Sequence, residues 1–222
     1  MKVLAVIPAK SVSKRIPNKN IKPLAGKPMI AYILETISRV KGIDRVMVST
    51  DSKKIAKIAE KYGAEVPYIR PRELARDDTP ALAVLQHAIF ELFEKEGYSA
   101  DYVLLVYPTS PLLKKERIEE ALAIADKRGS DSVVSGILDK GHYWIEVEGG
   151  WNRLYPIKQV NSQYQIPLFK ENGALYLTKT EVLKRQYVAD KADVVIMDED
   201  ENIDVDYPED FKRVEAIIKN GK

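Results

Sequence analysis

Two stretches of this 222-residue sequence carry residue types and spacings that could do chemistry. The first is "IPAKSVSKRIPNKNIKPLAGKP", Ile7 to Pro28, which holds Lys10, Lys14, Arg15, Lys19, Lys22 and Lys27 and no acid. Hydroxyls at Ser11 and Ser13 and the amide of Asn20 lie among these cations. Such groups together can hold a polyphosphate through charge-assisted hydrogen bonds. The second stretch is "NIDVDYP", near the other end of the chain. On a strand, Asp204 and Asp206 present both carboxylates on one face while Val205 packs inward. Paired oxygen ligands with room for water and a substrate phosphate are a common way to hold Mg2+. Read singly, each stretch also fits a plainer account, a solvated charge run or a chance Asp-x-Asp.

The two stretches sit in opposite fields. Asp198 to Asp210, "DEDENIDVDYPED", holds eight acids and no base, so the two ends of the sequence could meet in the fold. Over the whole chain 35 Lys and Arg face 33 Asp and Glu, a net charge of +2, which argues against a nucleic-acid or membrane binder. There is no cysteine, which excludes disulfides, thiolate nucleophiles and zinc-thiolate centres. Two histidines are too few for a His-built metal centre, and His87, within an apolar helical period, reads as a core or interface residue. Met1 to Pro8 lacks the length of a signal-peptide core. No later stretch approaches the roughly 20 apolar residues that span a bilayer. The expectation is a cytoplasmic protein.

The elements that must position these residues alternate along the chain. "KVLAVIP", "DRVMVST", "AEVPYI", "DYVLLVYP" and "DSVVSGI" are short Val/Ile/Leu-rich runs. They are separated by segments of helical period such as "MIAYILETISRV", "SKKIAKIAEKYG", "LAVLQHAIFELFEKEG" and "ERIEEALAIADKRG". Apolar runs without polar alternation are strands buried on both faces, and their alternation with helices predicts an α/β fold with a doubly wound, mostly parallel sheet. Pro28 suits a first helical turn, Ser52 an N-cap, and Gly63, Gly97 and Gly129 C-caps. After about Leu138, "HYWIEVEGGWNRLYPI" reads as a hairpin turning at Gly149-Gly150: a lid, a dimer arm, or a hairpin folded onto its own core. A strand at Ala174 to Leu177 and a last helix from Pro208 complete a single domain, 1–222, with an insertion at about 139–170.

In open parallel sheets, ligands bind outside the carboxyl ends of the strands near the point where strand order reverses. The cation-rich loop follows the first strand and so falls on that edge. It is neither a P-loop nor a GxGxxG turn, because Gly26-Lys27 has no second glycine at the required spacing. "STD", Ser49 to Asp51, and "YPTSP", Tyr107 to Pro111, end two other strands on the same edge, where ordinary turn chemistry would also explain them.

Taken together, "IPAKSVSKRIPNKNIKPLAGKPMIAYILE", "VSTDSKKIAKIAEKYGAEVPYIRPRELARDDTP", "YPTSPLLKKERIEEAL", "DSVVSG", "ENGALYL" and "IDVDYPEDF" resemble the acylneuraminate cytidylyltransferases, the CMP-sialic acid synthetases, over nearly the whole chain. The resemblance implies a Rossmann-like nucleotidyltransferase fold with a β-hairpin dimerisation arm and a homodimer. It implies transfer of CMP from CTP to the anomeric hydroxyl of a sialic-acid-like 2-keto sugar acid, with release of pyrophosphate and dependence on Mg2+. Carried over residue by residue, it puts Lys10, Ser13, Lys14, Lys19 and Asn20 around the CTP phosphates and ribose, and Arg70 and Thr79 near the cytosine. Asp204 and Asp206 would hold Mg2+. Tyr107, Thr109, Ser110, Gln163, Lys170, Asn172 and Gly173 would lie on the sugar side. Lys10, Lys14, Lys19 and Asp206 would be the residues the chemistry depends on.

The chain departs from the family pattern at informative places. Where the family usually reads Ala-Arg-Gly-Gly-Ser-Lys, this chain has "AKSVSK". Lys10 keeps the charge without the bidentate guanidinium fork, and β-branched Val12 tolerates a positive φ badly. Tyr107 stands where the family often has Gln, and Asn161, Ser162 and Gln163 where it commonly has Arg-Gln. The loss of an arginine facing the sugar carboxylate points to an acceptor other than ordinary sialic acid. Three alternatives stay open from sequence: a nucleotidylyltransferase of the same fold with another acidic sugar, a non-catalytic nucleotide-binding relative, and a glycosyltransferase using the aspartate pair.

Overall fold

The computed structural model describes residues 1–221. Strand β1 (Val3–Pro8) leads into the cation-rich loop, which carries two short paired segments, β2 (Pro23–Leu24) and β3 (Lys27–Pro28). Helix α1 (Met29–Ile37), β4 (Arg45–Ser49), α2 (Lys53–Lys61), α3 (Ala81–Glu96), β5 (Tyr102–Val106) and α4 (Lys115–Arg128) follow. The chain then forms β6 (Ser132–Asp139), a hairpin of β7 (Tyr143–Val147) and β8 (Gly150–Tyr155), β9 (Leu168–Lys179), β10 (Asp193–Ile196) and α5 (Pro208–Asn220). Six strands make the central sheet in the order β10-β6-β9-β5-β1-β4. Its pairs are parallel except those of β9, which runs antiparallel to both β5 and β6.

Why the sheet is covered on both faces is visible in β1. Val3, Ala5 and Ile7 join one apolar cluster with Ile30, Ile33 and Leu34 of α1 and Ile118 of α4. Leu4 and Val6 join a second cluster with Leu85 and Leu92 of α3. Successive side chains of a strand point to opposite faces, so a strand buried on both can spare no polar position. Burial of each large aliphatic side chain stabilises the fold by about 1.5–3 kcal/mol.

A third cluster matters most for function. Ile16 and Leu24 of the cation-rich loop pack with Met29, Ile203, Val205, and Phe211 and Val214 of α5. The basic loop and the acidic segment are therefore held together by buried apolar contacts before any charge is counted. Helix ends follow the sequence signals closely. Ser52 Oγ accepts from Ile55 N at 3.3 Å, and Gly97 and Gly129 close α3 and α4 with φ of 62° and 65°. Pro28 stands one residue before α1, as its N-cap.

Three expectations are corrected. "AEVPYI" is not a strand: only an isolated bridge joins Glu65 to Met47, and Pro67, lacking an N–H, ends the pairing. The segment 202–206 belongs to no strand and is fixed instead by the bond from Val205 N to the Thr109 carbonyl at 2.8 Å. β10 carries little sequence signal because it is a four-residue edge strand that begins with a charged residue and has a single buried position. The hairpin pairs only with itself, and its Trp144, Ile145, Trp151 and Leu154 are exposed, so it is not folded onto the core. Among the described residues no helix is long and apolar enough to cross a membrane.

Candidate active site

β1 has β4 on one side and β5 on the other, so strand order reverses there and a crevice opens at the carboxyl ends of β1 and β5. The loop after β1 is anchored to the end of β4 by its own polar groups. Ala9 N donates to the Ser49 carbonyl at 2.9 Å, and Ser11 donates to Asp51 twice, from N at 2.7 Å and from Oγ at 2.5 Å. Asn20 Nδ2 donates to the Lys10 carbonyl at 2.9 Å and closes the loop. Ser11, Asp51 and the Asn20 amide thus build the loop. Val12 sits exposed without a positive φ, the left-handed positions of the loop being Asn18 at φ 54°, Ala25 at φ 45° and Gly26 at φ 97°.

The loop forms one wall of a cleft of about 360 Å³. Lys10, Lys19 and Asn20 line it from β1's side, Arg70 and Thr79 from the segment before α3, and Tyr107 and Thr109 from the end of β5. Gly173 of β9 and the pair Asp204 and Asp206 complete it. A neighbouring depression of about 450 Å³ shares Lys10, Lys19, Asn20 and Asp206 and adds Ser13, Lys14 and Arg15. Residues from both ends of the sequence therefore face one space.

The electrostatics of the aspartate pair are unequal. Burial alone would push the Asp206 carboxyl up. It is nevertheless held below the ordinary value because Lys19 Nζ donates to Oδ1 at 2.9 Å and Arg15 Nη1 to Oδ2 at 2.8 Å. Asp204 opens to solvent at the cleft mouth, yet the crowding walls raise its carboxyl, the neighbouring Asp206 charge adds to this, and a Thr109 hydrogen bond opposes it. Asp210 accepts from the backbone N of Asp206 at 3.1 Å and of Tyr207 at 2.8 Å, which fixes the main chain carrying the pair at the start of α5. The pair offers hard oxygen donors of the kind Mg2+ takes, Asp204 directly and Asp206 only where the cation displaces Lys19 or Arg15 from its oxygens.

Arg70 is buried at 3% exposure, which lowers its guanidinium pKa, and its Nε has no hydrogen-bond partner among the described residues. A buried, underused donor on a cleft wall is the kind of group a ligand satisfies. Burial pushes the Tyr107 hydroxyl up to about 12, so it stays protonated at neutral pH. Gly173 adopts φ 75°, a conformation that strains any side chain.

Other expected positions lie off the cleft wall. Ser110 is buried in the turn after β5, its carbonyl accepting from Leu113 N. The Asn172 side chain accepts from Ser135 Oγ at 2.7 Å and from Ala174 N at 3.2 Å, so it braces the backbone of Gly173. Gln163 and Lys170 are exposed, the one in a short turn at Ser162–Tyr164 and the other opposite Ile137 in the sheet. Sequence reasoning missed Arg76 and Asp77 as wall residues and counted Arg15 only among the loop cations. The only signal for Asp77 was an acidic pair, Asp77-Asp78, in a segment that also carries Arg70, Arg72 and Arg76.

The acidic segment divides in two. Asp206 meets the basic loop, whereas Glu201, at 1% exposure, takes Arg117 Nε at 3.0 Å and Asp198 takes Arg117 Nη2 at 2.8 Å. Asp198, Asp200 and Glu201 do approach one another closely enough to share a cation, but Arg117 and Lys114 already neutralise that group. It pins the acidic segment to α4.

A doubly wound sheet with cations at its switch point, facing an aspartate pair across a cleft, is the arrangement of a nucleotidyltransferase. The comparisons agree: a family model described as "Cytidylyltransferase" matches residues 4–202. The chain belongs to the cytidylyltransferase family. It is 33% identical over 228 residues to the CMP-N,N'-diacetyllegionaminic acid synthase of Legionella pneumophila, covering 99% of this chain and 97% of that one. It is 30% identical to N-acylneuraminate cytidylyltransferase A of Danio rerio over 99% of this chain, which spans 52% of that longer protein. The pseudaminic acid cytidylyltransferase of Campylobacter jejuni is 40% identical over 121 residues, 54% of this chain and 52% of that one. The fold is shared with a CMP:2-keto-3-deoxy-manno-octonic acid synthetase solved with CTP, at TM-score 0.74 and 18% identity over 100% of both chains. It is also shared with the 4-diphosphocytidyl-2C-methyl-D-erythritol synthase of Anaerococcus prevotii, at TM-score 0.70 and 16% identity over 98% of this chain and 96% of that one.

Proposed function

We propose that this cytidylyltransferase transfers CMP from CTP to the anomeric hydroxyl of a nonulosonic, sialic-acid-like 2-keto sugar acid and releases pyrophosphate. The observation that carries the reading is the single cleft in which Lys10, Lys19 and Arg70 face Asp204 and Asp206. Relatives named as synthases or cytidylyltransferases of diacetyllegionaminic, pseudaminic and acylneuraminic acids support the acceptor class.

In this reading Lys10, Lys14 and Lys19 share the triphosphate charge, with Ser13 and Asn20 beside the phosphates and ribose. Arg70 and Thr79 recognise the cytosine, and Tyr107, Thr109 and Gly173 shape the acceptor side. The anomeric hydroxyl gives its proton to solvent as its oxygen attacks the α-phosphorus in line, the bond from that phosphorus to the bridging oxygen breaks, and pyrophosphate leaves toward the lysines. Chemistry of this kind depends on positioning and charge neutralisation more than on a strong base. Asp204 and Asp206 would hold Mg2+, which when bound supplies neutralisation of the developing phosphate charge. Gln163, Lys170, Asn172 and Ser110 lie outside the cleft wall, and for them a sugar-side role requires either a partner chain or a rearrangement on binding.

The proposal extends to a single catalytic domain, 1–222, with residues 139–170 as an arm. The exposed apolar surface of the β7–β8 hairpin supports a homodimer assembled through it, working in the cytoplasm. Light scattering that found a monomer at micromolar concentration would remove the dimer.

The test is pyrophosphate release with each of the four nucleoside triphosphates, Mg2+ and a panel of 2-keto sugar acids. Release with CTP and one nonulosonate alone is the expected result. Turnover with a different triphosphate, or CTP binding without turnover across the panel, would overturn it.

A further inference from the structure

We infer that Asp77 is an affinity-setting residue of the nucleotide site, an internal counter-ion that bridges Lys10 and Lys14 and competes with the triphosphate for them. This rests on the reading of the cleft as a CTP site. Asp77 follows the short turn Arg72–Ala75 and reaches across to the loop after β1. Its Oδ1 lies 2.5 Å from Lys10 Nζ and its Oδ2 lies 2.7 Å from Lys14 Nζ. One carboxylate thus engages two cations with one oxygen each, which is how a phosphate would engage them. Asp77 also lines both the cleft and the adjoining depression, so it stands between the space for the base and the space for the phosphates.

The arrangement has a counterpart. Asp206 binds Arg15 and Lys19 in the same two-oxygen manner, so four loop cations are shared between two carboxylates. Without these, four positive side chains on one loop would repel one another. The two bridges differ in how far their cations are enclosed, the carboxylates being about equally open. Lys19 is largely enclosed, whereas Lys14 is 80% exposed and Asp77 itself 45% exposed. Exposed pairs contribute little, and a polyphosphate carrying several charges displaces them readily.

Displacement nevertheless lowers affinity, because the site is competent only in the fraction of molecules whose lysines are free of Asp77. The same competition acts on the departing pyrophosphate: when Asp77 recovers Lys10 and Lys14, the product loses two of its partners. Asp77 therefore trades tight binding of the triphosphate for release of the product, and does so without touching a reacting atom.

The test compares the wild-type protein with Asp77→Asn, which keeps the shape and removes the charge. Inorganic tripolyphosphate and CTP serve as probes in a calorimeter. Both should bind Asp77→Asn more tightly, by about three- to tenfold at low ionic strength. The gain should shrink toward nothing at about 1 M salt, where exposed charges are screened. Asp77→Glu, which keeps a carboxylate, should stay near wild-type affinity. Unchanged or weaker tripolyphosphate binding by Asp77→Asn would overturn the inference, and so would a gain insensitive to salt. Tripolyphosphate carries neither base nor sugar, so a protein that did not bind CTP would refute the nucleotide reading while this comparison still decided the role of Asp77.

Discussion

Lys19 and Asp206 stand 187 residues apart in sequence, yet Lys19 Nζ lies 2.9 Å from Asp206 Oδ1 and 2.9 Å from the Val205 carbonyl. The contact is no surface accident. Ile16 and Leu24 on one side and Val205 and Phe211 on the other are buried together, so apolar packing sets the register in which the two charges meet. A cation of the basic loop and a carboxylate of the aspartate pair thus hold each other across the cleft.

Removing that carboxylate should stop the reaction while the fold survives. Asp206→Ala takes away one of the pair; Arg15 is exposed to water, and the largely enclosed Lys19 keeps its bond to the Val205 carbonyl. Pyrophosphate release in Mg2+ should fall by about 10²–10³-fold, the scale of losing one preorganised charge contact at a transferring group. Circular dichroism should remain that of the wild type. Synthesis at near wild-type rate would remove Asp206 from the metal assignment.

The reverse experiment asks whether position 10 contacts phosphate. Lys10→Arg adds a planar fork able to take two phosphate oxygens at once, where the lysine acts as a point charge. Activity should be kept or raised, any gain showing as a lower KM for CTP. A large loss would mean that the length and shape of the lysine serve another purpose.

How much of this was legible in the sequence differs from residue to residue. β1, β4 and β5 could be read because strands covered on both faces must be continuously apolar, and Ser52, Gly97 and Gly129 because caps depend on local chemistry. β10 could not, since an edge strand with one covered position carries no such constraint. Asp204 and Asp206 were read on a strand that does not exist; the carboxylates reach the cleft because Val205 is buried and Asp210 fixes their backbone. Asp77 was invisible for a different reason. Its partners Lys10 and Lys14 lie over 60 residues away in sequence, and no periodicity records a contact made by two loops.

Acid titration should report the Asp77 bridge directly. Hydrogen bonds from Lys10 and then Lys14 hold its carboxyl at about 2, below the ordinary 3.8. A carboxyl depressed in the folded state stabilises that state above its unfolded value, and the contribution is lost as pH falls toward the folded one. In urea unfolding of the ligand-free protein, the stability difference between wild type and Asp77→Asn should therefore be constant near neutrality and close between about pH 4 and about pH 2. A difference that persisted unchanged to the lower limit would show that the bridge does not form in solution.

The acidic group around Glu201 should behave as a structural clasp and not as a second metal centre. Glu201 is buried, and Arg117 Nε at 3.0 Å is its nearest charge, with Lys114 Nζ at 3.5 Å. Arg117→Met should cost about 2–4 kcal/mol in chemical denaturation, because breaking a buried pair leaves a carboxylate without its partner. Asp198→Asn, at an exposed position, should leave both stability and the Mg2+ dependence of turnover near wild type. A shifted Mg2+ requirement in Asp198→Asn would place a functional cation there after all.

Gly136 marks where the sheet bends to admit β9 beside the cleft. The register between β6 and β9 shifts between Val134 and Gly136, and a Cβ added at Gly136 would lie 2.3 Å from the Lys170 carbonyl oxygen and 2.6 Å from the Phe169 ring. Phe169 could turn aside; the backbone carbonyl cannot without opening the ladder. Gly136→Ala should thus destabilise the protein by about 1–3 kcal/mol, the usual cost of overpacking. The same shift carries Gly173 and its neighbours on β9, so the variant should also raise KM for the acceptor while leaving KM for CTP nearly unchanged. A loss of stability with both KM values intact would confine Gly136 to packing and free the acceptor wall from its influence.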